Sequence, residues 1–200
     1  MKYLFLIFFF IKFSISNAQI EIDTINNIIY LDQVNEVKGT SKDLKDKAFE
    51  WVAKSYNNSN YVTRLNTDDK IITKGTFSTE SRSYMNSLEK AEPIKYTLEL
   101  SFKDGRYRTE IKDIESTEIM FSIMTKEQFK DWWVTYYENY TGIGKKFAQK
   151  KVQDDKYISN TYEKMKKTTT PILNELKLNM ELVNASILSN MKSESKKDDW

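Results

Sequence analysis

The strongest constraint on the fold is an alternation of apolar and polar residues over residues 94–114. Four apolar side chains alternate with polar ones, the pair Asp104-Gly105 follows, and a second alternating run comes after it. Successive side chains on a strand point to opposite faces, and Asp-Gly favours the positive φ angles of a tight turn. The segment therefore predicts a β-hairpin with one buried face and one in solvent. The predicted inner residues are Tyr96, Leu98, Leu100, Phe102, Tyr107, Thr109 and Ile111, and Ile114 falls out of phase, as at a bulge.

The residues before this hairpin predict a strand, a helix and a second hairpin. Branched residues at 28–37 indicate the first strand, and Thr40 with Asp43 has the spacing of a capping box. Runs at 61–65 and 70–77 predict two strands, and the polar segment 78–93 a long mobile loop, with a short helix as the alternative. The apolar stripe of the predicted helix is Leu44, Ala48, Trp51, Val52 and Ser55.

The chain after Thr125 has a helical pattern. Thr125 and Gln128 form a second candidate capping box, and Pro171 suits the first turn of a further helix. An apolar seam of the coiled-coil type follows, which packs either on the domain or on a second copy in a homodimer. Its residues are Leu173, Leu176, Met180, Val183 and Ile187.

This order of elements predicts an α+β fold, because a strand, a helix and then several strands are followed by a run of helices, without regular alternation of strand and helix. We expect an antiparallel β-sheet with a helix packed on one face, in the order β-α-β-β-β-β, followed by a C-terminal helical extension. The predicted α+β domain covers residues 19–124, the helical extension 125–192 and a charged tail 193–200.

The first eighteen residues have the pattern of an export signal. Lys2 is followed by an apolar run at residues 3–11, and Ser16-Asn17-Ala18 gives a site with small residues at its first and third positions. A membrane anchor is the alternative, but Lys12 ends the run well short of the roughly 20 residues that span a bilayer. We expect cleavage after Ala18 and a periplasmic or extracellular protein without a membrane span in its mature form.

Composition excludes several classes of function. The chain has no histidine and no cysteine, which removes histidine-based triads, thiol nucleophiles and nearly all zinc sites, and no cofactor is expected. Removing Lys2 and Lys12 from the 31 basic residues leaves 29, against 29 acidic ones. A formally neutral protein lacks the electrostatic attraction on which nucleic-acid binding depends. A hydrolase that uses carboxylates alone remains an alternative to a non-enzymatic role.

Arg106 and Arg108 are candidate binding residues on the outer face of the predicted hairpin. Two guanidinium groups on one face can hold a carboxylate or a phosphate through paired hydrogen bonds. The alternative is ion pairing with neighbouring acids, for which Glu99 and Glu110 are candidates.

A second candidate surface is an aromatic cluster on the helix that follows Thr125. The cluster has more aromatic surface than one stripe of a helix can bury, because neighbouring residues on a helix lie about 100° apart. Its rings form either a wide core stripe or a surface that stacks on a protein or glycan partner. We therefore expect a binding or structural module. The cluster comprises Trp132, Trp133, Tyr136, Tyr137 and Tyr140.

Several of these motifs together resemble a family of exported bacterial domains of unknown function. They are Ser-x-x-Leu before a helix that carries Trp51, the strand 71–75, and the strand 96–102 followed by Lys-Asp-Gly-Arg-Tyr-Arg. The family is common in Bacteroidetes envelopes and has a fold similar to that of the TATA-binding protein. The resemblance spans residues 41–115 and implies a curved antiparallel sheet with a helix across one face. It implies no activity and no site residues.

Overall fold

The computed structural model describes residues 19–56, 62–86, 88–140 and 145–193. The predicted export signal at 1–18 and most of the predicted tail lie outside these residues. Six strands form one sheet in which every neighbouring pair is antiparallel. They are β1 (Gln19–Asp23), β2 (Ile28–Glu36), β3 (Thr63–Asn66), β4 (Lys70–Phe77), β5 (Ile94–Lys103) and β6 (Arg106–Glu115), in the spatial order β1-β2-β6-β5-β4-β3.

Five helices complete the described fold. The first follows β2, and the other four follow β6 in succession, so the α+β class and the C-terminal helices are confirmed. Strand β1 and the second helix were not predicted. The helices are α1 (Ser41–Ser55), α2 (Thr117–Ile123), α3 (Lys126–Tyr140), α4 (Lys145–Val152) and α5 (Asp155–Lys192).

The predicted hairpin is present as β5 and β6. Lys103 pairs with Arg106 across a two-residue loop, in which Gly105 has a φ of +77°. Ladder pairing shifts by one residue beside Asp113, whose φ is +53°, so the break in phase before Ile114 is a bulge in β6. The four inner side chains of β5, namely Tyr96, Leu98, Leu100 and Phe102, are each at most 5% exposed.

The opposite face of β5 is less exposed to solvent than the alternation predicted. Thr97 and Glu99 point away from the core, yet they are only 5% and 7% exposed. β5 has a neighbouring strand on both sides, and the long side chains of Lys70 and Lys112 reach over it to the Glu99 carboxylate. A central strand is thus covered by its neighbours even where no helix is involved.

Both predicted capping boxes form. The Thr40 hydroxyl accepts from the Asp43 amide, while the Asp43 carboxylate accepts from the Thr40 amide, each at 3.2 Å. The same reciprocal pair joins Thr125 and Gln128 before α3. On α1 the predicted stripe is buried except for Ser55, which is exposed because the helix ends there.

The position of Pro171 was predicted wrongly. It lies inside the 38-residue α5 and does not begin a helix. Proline inside a helix costs about 3 kcal/mol, since it removes one hydrogen bond and crowds the preceding turn. Apolar residues are buried on both sides of it, including Met165 and Ile172, and this burial outweighs that cost.

The main core lies between the inner face of the sheet, α1 and the second half of α5. Four seam residues of α5 are buried there, and Val183 packs against the same core. The seam therefore packs on the chain's own domain. The buried members are Leu173, Leu176, Met180 and Ile187.

The segment between β4 and β5 was predicted as a mobile loop or a short helix. Its described residues form an irregular segment tied to two helices. The Glu175 carboxylate on α5 accepts hydrogen bonds from the Glu80 amide and the Ser81 hydroxyl. The Ser83 hydroxyl donates to the buried Glu118 of α2 at 2.7 Å.

A row of charges runs across four strands on the sheet face opposite α1. It links Asp32, Arg108, Glu110, Lys112, Glu99 and Lys70 in that order. Burial alone would raise the pKa of Glu99, but hydrogen bonds from Lys112 and Lys70 outweigh it, so the pKa lies below the ordinary 4.5. Glu99 therefore contributes stability as a charged group.

Replacing Leu176 by alanine tests whether α5 is part of the core. Leu176 is fully buried, so the variant should lose about 2–5 kcal/mol of the free energy of unfolding, measured by urea denaturation. Leu178 lies on the same helix but is 55% exposed, and Leu178→Ala is the matched control. Equal effects of the two variants would contradict this packing.

Replacing Glu99 by glutamine tests the charged row. A carboxylate with a lowered pKa stabilises the fold above its unfolded pKa and loses this effect as the pH falls through its folded pKa. The variant should be about 1–3 kcal/mol less stable than the wild type near pH 7. The difference should vanish in acid, as the pH falls through the lowered pKa of Glu99. Glu50→Gln, in an exposed pair with Lys54, should stay close to wild type throughout. A pH-independent loss in Glu99→Gln would contradict the ionic account.

Candidate functional site

A cavity of about 810 Å³ opens at the end of the sheet where α1 finishes beside β4 and the start of β5. Its volume lies in the range of small-ligand sites, roughly 300–1,000 Å³. Four aromatic residues together with Val62 and Val183 supply the apolar part of the wall, while charged residues lie around the mouth. The aromatic residues are Trp51, Tyr56, Phe77 and Tyr96.

The last turn of α1 brings two of these rings to the cavity. Trp51 is buried, and its indole Nε1–H donates to the Ser186 hydroxyl of α5 at 2.9 Å. Tyr56 caps the helix and meets Trp51 edge to face, with ring centroids 6.1 Å apart. The indole is therefore held by a helix more than a hundred residues further along the chain.

Gly75 makes room for the third ring. It pairs with Tyr96 in the ladder between β4 and β5, and an added Cβ would lie 2.6 Å from the Tyr96 phenol carbon and oxygen. Glycine is thus required for the Tyr96 ring to lie across β4. Phe77 stacks on the same ring, with centroids 4.0 Å apart and planes inclined by 13°.

The hydroxyls of Tyr56 and Tyr96 are 2.9 Å apart and form one hydrogen bond. Burial, followed by the neighbouring Tyr56, raises the pKa of Tyr96 far above its ordinary value, so the phenol keeps its proton. Each hydroxyl has one proton to donate, and their mutual bond uses only one of the two. Among the described residues the second proton has no acceptor.

The mouth of the cavity carries both signs of charge. Arg64, Lys74 and Lys95 provide donors, whereas Asp113 and Glu115 provide acceptors. Lys95 and Glu115 approach to 3.7 Å and are both well exposed. Such a rim can hydrogen-bond a ligand that both donates and accepts.

The predicted arginine pair is used in the charged row. Arg108 forms two hydrogen bonds to Asp32 and lies 3.5 Å from Glu110. Pairing with neighbouring acids was the alternative interpretation, although Asp32 had not been named and Glu99 pairs with lysines. Arg106 is exposed, opposite Glu36 in the ladder. The structure brings neither arginine to the cavity.

The aromatic cluster of α3 mostly packs inside the chain. Trp133 is buried against Phe129 and Tyr157, and Tyr137 is half-buried against Trp133. The side chain of Tyr140 lies outside the described part of the structure.

What remains of that cluster lines a groove of about 390 Å³ between α3, α5 and the segment before β5. Half-buried Trp132 and Tyr136 stack there, with centroids 5.0 Å apart. Trp133 also lines the groove, and its buried Nε1–H has no acceptor among the described residues.

The larger cavity was missed in the sequence because its residues come from separate elements. Trp51 was assigned to core packing, and Tyr56 follows the helix directly. The available signal was Gly75, since a glycine inside a strand often marks a close approach by another group. In the described residues no group of acids suits a metal ion, and no helix there is long and apolar enough to cross a membrane.

Two solved structures are similar to part of this chain: a TBP-like protein from Parabacteroides distasonis (24% identity, TM-score 0.35) and a DUF4468 family protein from Bacteroides ovatus (16% identity, TM-score 0.33). They cover 44% and 46% of this chain, which in turn spans 56% and 57% of theirs. No curated protein matches. Residues 31–117 match the model of a domain of unknown function with TBP-like fold, DUF4468.

Proposed function

We propose that this protein is an exported binding module that holds a ring-shaped ligand in the cavity at the end of the sheet. The observation that carries the proposal is the aromatic wall, where the hydroxyls of buried Tyr96 and half-buried Tyr56 bond to each other and, among the described residues, leave one O–H available. Ligand sites combine apolar walls with a few convergent polar groups in this way. Gly75 and the bond from Trp51 to Ser186 fix this wall in place.

Export to the bacterial envelope is part of the proposal. It is supported by Lys2, by the apolar run at residues 3–11 and by the small residues before Gln19. The mature protein would then act in the periplasm or outside the cell.

Binding is favoured over hydrolysis by carboxylates. A carboxylate hydrolase needs two acids facing a shared cavity, one of them with a raised pKa. The acids at this cavity are Asp113 and Glu115, both exposed. The buried acids Glu99 and Glu118 lie elsewhere, bonded to lysines and to Ser83.

The groove beside α3 is a second candidate surface, for a protein or glycan partner. It is favoured by the unpaired Nε1–H of Trp133 next to the stacked rings of Trp132 and Tyr136. A homodimer through the α5 seam is not favoured, because those side chains contact the chain's own core.

Blocking the cavity tests the proposed site. Ser55 lines it at the exposed end of α1, so Ser55→Trp should fill the mouth without disturbing the core. In NMR titrations with indole, benzoate and a set of trisaccharides, at least one probe should shift the Gly75 amide and the Trp51 indole signals. The blocked variant should lose these shifts. Ala53→Trp, exposed on the same helix but outside the cavity, should keep them. Absence of shifts with every probe would refute the site.

Cleavage tests the proposed export. In a Bacteroidetes host, intact-mass analysis of envelope and medium fractions should find a protein that begins at Gln19. Ala18→Trp should accumulate uncleaved, because the last position of the site needs a small residue. Asn17→Leu changes the tolerant middle position and should be processed normally. Full-length protein in the cytoplasm would contradict export.

A further inference from the structure

We infer that the ligand of the sheet-end cavity is a saccharide, an inference that rests on the proposed function. It follows from three features of the wall and the mouth: aromatic rings, a pair of tyrosine hydroxyls, and side chains of both charges. Each of them disfavours a different class of ligand.

The aromatic wall favours a ligand with a ring. Trp51, Phe77 and Tyr96 are at most 7% exposed, so their orientations are fixed, and little side-chain entropy is lost when a ligand packs against the part of each ring that lines the cavity. One face of a sugar ring carries C–H groups and packs on such a surface. The wall therefore disfavours a freely flexible, wholly polar ligand.

The tyrosine pair supplies a neutral donor inside the cavity. The pair has two O–H groups and uses one of them between the two rings, so it can donate a further hydrogen bond and accept others through its lone pairs. A hydroxyl group of a sugar can accept from the pair and donate to it. A purely aromatic hydrocarbon would cover these hydroxyls without bonding to them, which lowers affinity.

The mouth carries three basic and two acidic side chains, so it does not select strongly for ions of one sign. Arg64, Lys74 and Lys95 would attract an anion, but Asp113 and Glu115 lie on the same rim and would repel it. A neutral ligand with many hydroxyls can donate to the carboxylates and accept from the ammonium and guanidinium groups at the same time. Saccharides have this composition.

The test measures the affinities of the intact mature protein for trisaccharides of glucose, mannose and N-acetylglucosamine, with indole and benzoate as comparison ligands. Tyr56→Phe removes one hydroxyl of the pair and keeps the ring. It should weaken trisaccharide binding about five- to tenfold, the effect of one hydrogen bond, and leave indole binding unchanged. Thermal unfolding of the variant establishes that it is folded, and Lys103→Ala, exposed and away from the cavity, is the matched control.

The outcomes separate the inference from the proposed function. Trisaccharide binding that Tyr56→Phe weakens and Ser55→Trp abolishes supports both. Binding of indole or benzoate alone at Gly75 would leave the proposed function standing and overturn the saccharide. Trisaccharide binding that is unaffected by Tyr56→Phe would also overturn the inference, since the hydroxyl pair would not take part. If no probe binds, both fail.

Discussion

The fold depends on the burial of both faces of β5. Its inner side chains are the centre of the core, and its outer face is closed by the two lysines that bond to Glu99. Because side chains alternate strictly along a strand, a slip of one residue would expose the core residues and bury the charges. This penalty fixes the register of β4 and β6 on either side. It also fixes Tyr96 opposite Gly75, so the cavity results from the same constraint as the core.

The cavity requires parts from distant points in the chain. α1 ends at Ser55 and is capped by Tyr56, and among the described residues the end of the sheet on that side opens into the cavity. The Trp51 ring is held beside that opening by the hydrogen bond that its Nε1–H donates to Ser186 of α5. The C-terminal helix therefore has two effects: it completes the core through Leu176 and Met180, and it fixes one wall of the cavity.

Features encoded within about ten residues could be predicted from the sequence. The hairpin, both capping boxes and the buried stripe of α1 depend on neighbouring residues, and the structure contains them. Features decided by tertiary contacts could not. Pro171 stays helical because apolar residues on both sides of it are buried, and Glu99 is covered because two other strands supply lysines. Local sequence contains neither fact.

The same distinction applies to the aromatic residues. On α3 they are close in sequence and therefore conspicuous. Trp133 is nevertheless buried, because its ring packs against Tyr157 of α5. The aromatic residues of the cavity are scattered over α1, β4 and β5, and only folding brings them together. Nothing in their spacing distinguishes them from ordinary core residues. What does distinguish them is the pair of hydroxyls on Tyr56 and Tyr96, which bond to each other at the cavity wall, since a surface made only for packing gains little from two phenol groups that meet there.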